Sequence, residues 1–429
     1  MNLLKQCQQV LEQNWKGNFT IPSPRLYPFQ WNWDSGFVAL GNLHYKPERS
    51  IIELETLFSG QWENGFLPHI IFHNEQKYSS YFPSADYWNS NISSLAPKQI
   101  KTSGITQPPV HGFVLEKIFE NNIDKSRINN LFDKIVKYHN YLYETREYNN
   151  TGLVSIWHNW ESGMDNSVWW DEILERIDIS KLENIQLFRK DIYEVDESNK
   201  TRPLDLDYKR YLFLVKKLRG NKYVNVEDNY PFQVLDPVFN SILIESNASL
   251  IRIGKVLGKE VPFLQTKMET GIKSFSSILW NNVDLLYYPF DVLSQSQIKK
   301  HCSGCYAPIF TGIPSTDQVK ELVRHWKNYN DNVLIPSCFP DQIGFEQKNY
   351  WRGPVWININ WMIWKGLLQY EMYELAEQIR NSTINLVEKF GVYEYFDPFI
   401  KTDSKTGYGG KDFSWTAALI IDMLRSEKV

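Results

Sequence analysis

The sequence has little that would tie it to nucleic acid, a membrane or a phosphate. Its 46 Lys and Arg are outnumbered by 50 Asp and Glu, and a formal net charge of −4 excludes the basic footprint that a nucleic acid or an anionic bilayer requires. No apolar run approaches the ~18 residues of a membrane span. Met1-Asn2-Leu3-Leu4-Lys5-Gln6-Cys7 lacks the basic and apolar regions of a secretion signal, so a cytoplasmic protein is expected. Asn-x-Ser/Thr sequons, among them those beginning at Asn18, Asn91, Asn149, Asn247 and Asn381, are then expected to carry no glycan. Cysteine is scarce. Cys7, Cys302, Cys305 and Cys338 suit a reducing compartment, and Cys302-Ser303-Gly304-Cys305, with no second pair to complete a zinc or redox set, reads as buried thiols. There is no GxxxxGK[ST] or GxGxxG loop, no HExxH and no GxSxG, which leaves nucleotide, zinc-protease and serine-hydrolase chemistry without a foothold. No cofactor or metal is expected.

Aromatic residues are what the chain has in excess: 24 Tyr, 24 Phe and 16 Trp make up 15%. Hydrophobic residues at 42% and charged residues at 22% are globular values, and no break in composition marks a linker, so residues 1–429 are expected to form one domain. The densest stretch is Trp157-His158-Asn159-Trp160-Glu161-Ser162-Gly163-Met164-Asp165-Asn166-Ser167-Val168-Trp169-Trp170-Asp171. A carboxyl walled by indole is disfavoured as an anion and keeps its proton to higher pH, as a general acid must. Indole faces also stack on the C–H faces of sugar rings. The stretch reads as a carbohydrate site; the alternative is an aromatic helix start whose carboxylates cap backbone N–H groups.

Apolar periodicity predicts helices over Leu3 to Trp15, from Gly36, from Pro47 to Gly60, across Val110 to Ile118 and Ile128 to Leu142, over Asp205 to Leu218, Pro237 to Leu257, Pro262 to Trp280 and Asp317 to Trp326, from Pro354 to Phe390, and over Phe413 to Leu424. Residues 281–316 read as irregular chain with a strand at Leu285 to Val292. Roughly a dozen helices joined by alternately short and long loops, with little strand, predict an all-α helical toroid, an (α/α)6 barrel. Loop insertions fall at about 72–106 and 175–203. Asn32-Trp33-Asp34-Ser35-Gly36, Trp62-Glu63-Asn64-Gly65 and Asn159-Trp160-Glu161-Ser162-Gly163 share a Trp-acid-x-Gly core, each where a loop leads into a helix.

Hydrolysis of a glycoside needs one protonated carboxyl for the leaving oxygen and one carboxylate to activate water or attack. Asp165 and Glu394 are the candidates, with Glu161 and Asp397 as open alternatives. Tyr27-Pro28-Phe29-Gln30-Trp31-Asn32-Trp33-Asp34-Ser35-Gly36, Gly163-Met164-Asp165-Asn166-Ser167, Tyr350-Trp351-Arg352-Gly353-Pro354-Val355-Trp356, Glu394-Tyr395-Phe396-Asp397-Pro398 and Phe413-Ser414-Trp415-Thr416-Ala417-Ala418 stand in the order found in glycoside hydrolase family 63. The chain resembles its short single-domain members, the mannosylglycerate and glucosylglycerate hydrolases. The resemblance implies an (α/α)6 barrel and inversion at an α-linked sugar, with Asp165 as general acid and Glu394 as general base, their carboxyls ~6.5–9.5 Å apart. It places Tyr27, Trp31, Trp33, Asp34, Trp160, Gly163, Tyr350, Trp351 and Trp356 around the sugar, and Gln107, Arg202 and Tyr208 on the acid of the aglycone. Tyr78, in the 72–106 loop, is a further expected substrate contact. Gly409-Gly410-Lys411-Asp412 has a base and an acid where the resemblance leads one to expect an amide, which leaves mannose against glucose open. Arg202, in the polar pre-proline segment Asn199-Lys200-Thr201-Arg202-Pro203, is expected to close over the site. The expected partner is a small charged α-glycoside; a homo-oligomer stays open. The competing expectations are a neutral α-glucosidase or trimming enzyme of the same family and a sugar epimerase or isomerase on the same toroid.

Overall fold

The structure, a computed structural model, describes residues 2–78, 80–121, 123–182, 184–189, 201–327, 333–399 and 405–426. Two kinds of helix alternate along the chain. Helices α2 (Asn32–Leu43), α7 (Pro237–Leu257), α10 (Ile357–Gln369) and α12 (Ser414–Arg425) are buried around most of their circumference, while α1 (Leu3–Asn14) and α9 (Thr316–Lys327) bury one stripe only. Burial all round requires neighbours on every side, so the first kind forms an inner ring and the second coats it. The inner ring runs α2, α4 (His111–Glu120), α7, a 3₁₀ helix at Ser303–Thr311, α10 and α12, and α12 returns to α2. The outer helices are α1, α3 (Pro47–Phe58), α5 (Lys125–Arg146), α8 (Pro262–Ser274), α9 and α11 (Tyr373–Phe390). An extra helix, α6 (Asp205–Gly220), follows the 175–203 insertion. This is the expected (α/α)6 toroid.

Local chemistry sets the ends. Asn2 and Asp236 cap the amides of Leu4 and Val238, Pro47, Pro237 and Pro262 occupy first turns, and Gly258 ends α7 at φ +69°. The ring is closed between the chain's first and last helices: α1 lies on α12, and Asn14 Nδ2 donates to Ser414 Oγ (2.9 Å) and to the carbonyl of Asp412 (2.8 Å).

Several expected elements need correction. Residues 303–311, read as irregular chain, supply the fourth inner element. Gly304 and Pro308 hide it from a 3.6-residue period, and Gly304 is needed because a Cβ there would run into the Trp169 ring and Val238. The single strand expected at Leu285 to Val292 is two strands in different small sheets, Leu286–Tyr287 on Trp280–Asn281 and Phe290–Asp291 between Val234–Leu235 and Ser296–Gln297. Helix α8 stops at Ser274, short of Trp280, in a π turn over Phe275–Leu279. All four cysteines are buried and form no disulfide. Of the two insertions, 72–106 is described apart from Ser79 and holds only short helical turns; within 175–203, residues 183 and 190–200 lie outside the described residues, Asn199 and Lys200 of the Arg202 segment among them.

Candidate active site

Glu394 stands in the strand Tyr393–Phe396, which pairs antiparallel with the strand Gly407–Lys411; the register shifts between Tyr393, opposite Lys411, and Tyr395, opposite Tyr408. Such an irregularity re-aims a side chain, and here it falls on Glu394. The carboxylate is 1% exposed. Oε1 accepts from Tyr27 OH (2.9 Å), and Oε2 from Gly410 N (2.7 Å) and Arg202 Nη2 (3.1 Å). Three of roughly four acceptor positions are thus occupied, leaving one for a water. Gly409, at φ +72°, is the neighbour that permits this, because a Cβ there would collide with Glu394 Oε2.

Asp165 is carried by the loop between the turns Asn159–Ser162 and Val168–Trp170. Its carbonyl accepts Asn159 Nδ2 (2.7 Å), and Asn166 beside it accepts the Trp351 N–H (2.9 Å) and donates to Asn349 (3.1 Å), so the loop is clamped on both sides. Burial, reinforced by repulsion from Glu394, pushes the Asp165 carboxyl up to about 7, against the opposing pull of Arg202 and a hydrogen bond from Tyr350. It therefore keeps a proton near neutrality. Asp34, at the start of α2, is pushed well above the usual carboxylate range by burial and then by Glu394. Gly163, at φ +72°, lets the Trp33 ring lie against the loop, since a Cβ would sit 2.5 Å from it.

These groups face two joined chambers. The inner one is lined by Trp33, Asp34, Gly163, Glu394, Phe413 and Trp415; the outer one by Trp160, Arg202, Tyr208, Tyr81, His69 and Arg25 among others. Tyr27, Trp31, Gln107, Asp165 and Tyr350 border both, so Asp165 stands at the junction. Gln107 Oε1 accepts Trp33 N–H (3.3 Å), tying one chamber's wall to the other's. Arg202 is 4% exposed, donates through Nη1 to Tyr27 OH (2.9 Å), and lies over the Tyr350 ring at 4.7 Å.

Most of the expected site residues are thereby brought together, and three are not. Tyr78 does not line either chamber: it stands edge-on to Phe29 (5.5 Å), and Tyr81, edge-on to Trp31 (5.9 Å), takes the wall. Trp351 and Trp356 stack on each other (3.8 Å, 4°) behind Tyr350, whose carbonyl accepts Trp356 Nε1 (2.9 Å); they support the wall without lining it. Trp415 is a lining residue that its motif brought to notice without a role, and its buried Nε1 has no partner among the described residues.

The alternative carboxylates are used up. Glu161 is wholly buried, taking Arg146 Nη1 (2.7 Å) and the amides of Trp157 (2.6 Å) and Thr106 (3.1 Å). Asp397 is held by Gln347 (2.8 Å to both oxygens) and the Phe399 amide (2.8 Å). Glu53 joins three segments by accepting Ser35 Oγ (2.7 Å), Gln30 Nε2 (3.1 Å) and Thr20 Oγ1 (2.8 Å), which fixes the start of α2 and with it Trp33 and Asp34. Among the described residues no group of three or more His, Cys, Asp or Glu could hold a metal ion, and no helix is long and apolar enough to cross a membrane.

A helical toroid with a protonated acid between an aromatic inner chamber and a cationic outer one has the make-up of a glycoside hydrolase. Residues 27–416 match the mannosylglycerate hydrolase MGH1-like glycoside hydrolase domain, and the chain belongs to that family, within glycoside hydrolase family 63. It is similar to the mannosylglycerate hydrolase of Thermus thermophilus (37% identity over 96% of this chain and 98% of the relative) and to the glucosylglycerate hydrolase of Mycolicibacterium hassiacum (30% identity over 98% and 97%). Among solved structures it is similar to a family 63 mannosylglycerate hydrolase from Thermus thermophilus in complex with Tris and D-glycerate, with a TM-score of 0.89 at 36% identity, covering 99% of this chain and 100% of the other.

Proposed function

We propose that the protein hydrolyses an α-glycosylglycerate, mannosylglycerate or glucosylglycerate, to sugar and glycerate with inversion. The observation that carries this is the placing of Asp165 where the two chambers meet. A glycosidic oxygen at that junction puts its sugar among Trp33, Trp31 and Trp415 and its small acidic aglycone beside Arg202, Gln107 and Tyr208. Asp165, carrying its proton near neutrality, delivers it to the leaving glycerate oxygen as the anomeric C–O bond breaks. A water held by Glu394 on the inner side gives its proton to the carboxylate as its oxygen bonds to the anomeric carbon. Asp34, its carboxyl pushed well above the usual range by burial, meets sugar hydroxyls, and the Trp415 N–H supplies another donor. No residue here needs a cofactor for these steps.

The names of the relatives support glycerate as the aglycone, and the guanidinium in the outer chamber suits a carboxylate, which it can meet through two parallel N–H···O bonds. Sugar release from a panel of mannosyl and glucosyl glycerates, their neutral glycerol counterparts and simple α-glucosides tests the reading. Turnover of an acidic glycoside with the β-anomer formed first, seen by NMR, is expected. Retention removes the mechanism, and turnover confined to neutral glycosides removes the substrate class.

A further inference from the structure

Arg202 couples the outer chamber to the base in the inner one. Its Nη2 donates to Glu394 Oε2 (3.1 Å), and its Nη1 donates to Tyr27 OH (2.9 Å), which donates in turn to Glu394 Oε1 (2.9 Å). Both oxygens of the base thus feel one guanidinium, directly and through a phenol. The Arg202 side chain is 4% exposed and Glu394's 2%, so water screens this pair poorly. The guanidinium is also incompletely used: Arg202 Nε–H is buried with no partner among the described residues. A buried donor left unmatched is costly and favours the arrival of an acceptor.

The same cation acts on the acid. Arg202 draws the Asp165 carboxyl down, against burial and Glu394, which push it up. In the substrate-free protein Arg202 therefore opposes both halves of the chemistry. It occupies Glu394 Oε2 directly and Oε1 through Tyr27, positions that the attacking water needs, and it favours loss of the proton that Asp165 must donate.

We propose that the carboxylate of the aglycone relieves this opposition: by pairing with Arg202 it offsets the cation that restrains Glu394 and Asp165, so that preference for acidic glycosides is expressed in kcat and not only in binding. The inference rests on the glycosylglycerate reading above. A carboxylate in the outer chamber is met by the unmatched Nε–H together with an Nη, the guanidinium is shared between two anions, and Glu394 is freed to hold the attacking water. A neutral glycoside leaves Arg202 on Glu394, and its sugar, bound equally well in the inner chamber, turns over slowly. Arg202 thus acts as a positioning and charge-setting residue toward Glu394 in addition to its contact with the substrate.

The test measures kcat and KM separately for a glycosylglycerate and the glycosylglycerol of the same sugar, in the wild type, Arg202→Gln and Arg202→Lys. The wild type is expected to show a kcat about tenfold or more lower on the neutral substrate. Arg202→Gln should raise kcat on the neutral substrate by about threefold to tenfold while lowering kcat/KM on the acidic one by at least about tenfold. Arg202→Lys, which keeps the charge, should not raise the neutral rate. Equal wild-type kcat values on the two substrates overturn the inference, as does a loss of kcat in Arg202→Gln that is the same on both. A measurement that needs no variant uses the α-glycosyl fluoride, which leaves the aglycone side vacant: added acetate should accelerate its hydrolysis by the wild type, and a rate that stays flat or falls contradicts the coupling. A wild-type protein that releases no sugar from any glycosylglycerate refutes the functional reading itself, a result distinct from an active enzyme with equal kcat values.

Discussion

Replacing Asp165 by Asn should abolish turnover and at the same time make the protein more stable. The Asp165 carboxyl is pushed from 3.8 up to about 7 in the folded protein by burial and by Glu394, while in the unfolded chain it titrates near the usual ~3.9. Between those values the folded protein holds a proton that the unfolded chain has lost, so this residue lowers stability progressively as pH rises through that window. A difference of about 3 units at about 1.4 kcal/mol each sets an upper bound of about 4 kcal/mol above pH ~7, and roughly 2–4 kcal/mol is the expected gain. Asn has the same shape without the ionisation. Glu53 and Asp236, both buried and also pushed up to about 7, titrate in the same direction, but they are common to both proteins and cancel in the difference. The assay is urea unfolding of wild type and Asp165→Asn at matched m, repeated from about pH 4 to about pH 8. The two curves should start close together at the acid end and separate as pH rises. A difference that stays constant across the range, or a variant that is the less stable near pH ~8, would refute the account of Asp165 as a carboxyl kept neutral at a cost in stability.

The same protonation sets the activity profile: kcat/KM, which reports the free enzyme, should fall as pH rises through about 7, where Asp165 loses its proton, and a kcat/KM that climbs across that range in a pH–rate series would contradict its proposed role as acid. Gly409→Ala places a Cβ against Glu394 Oε2 at a φ of +72°; a stability cost of about 1–2 kcal/mol and a kcat about tenfold or more lower, with KM little changed, should appear in parallel unfolding and steady-state measurements. Glu161→Gln leaves Arg146 with its charge buried and unpaired, so it should cost about 3–5 kcal/mol in denaturant unfolding while molecules that remain folded still turn over. Full stability with no turnover would instead move the acid's role from Asp165 to Glu161.

What could be read from the sequence was whatever leaves a local mark. The inner and outer helices announce themselves through apolar spacing, and α6 lies within two residues of its expected end. Of the Trp-acid-x-Gly segments, Trp33-Asp34-Ser35-Gly36 opens α2 and Trp160-Glu161-Ser162-Gly163 forms a short 3₁₀ turn, whereas Trp62-Glu63-Asn64-Gly65 is a turn that leads to the strand Ile70–Ile71 and to no helix; Trp33, Asp34 and Asp165 do meet around one cavity. Contacts set by the tertiary fold left no such mark. Glu161 and Asp397 look like Asp165 and Glu394 on paper, and only their partners, Arg146 and Gln347, separated from them by 15 and 50 residues, remove them from the reckoning. Tyr78 and Tyr81 are interchangeable by type; which of them faces the chamber depends on how the 72–106 loop lies against Phe29 and Trp31. Trp351 and Trp356 stack on each other because the chain turns between them, which a motif of alternating aromatics does not reveal. The 3₁₀ element at 303–311 escaped because its period is 3.0 and its interior holds Pro308.

The seam between α1 and α12 has a consequence for how the molecule is made. Asn14 reaches Ser414 across 400 positions of chain, and Ser414 returns a bond to the Ile21 carbonyl at 2.7 Å. During synthesis the ring stays open until α12 leaves the ribosome, and the strand bearing Glu394, the proposed base, only a short stretch of chain earlier, meets Tyr27 at the same late moment. A ribosome-arrested chain ending before α12 should therefore have no competent site, however well its first five helical pairs have condensed. The packing of α1 on α12 also means that the seam can be moved: joining α12 to α1 by a short linker and cutting at a loop tip remote from both chambers makes this contact a local one, and the permuted chain should close its ring sooner.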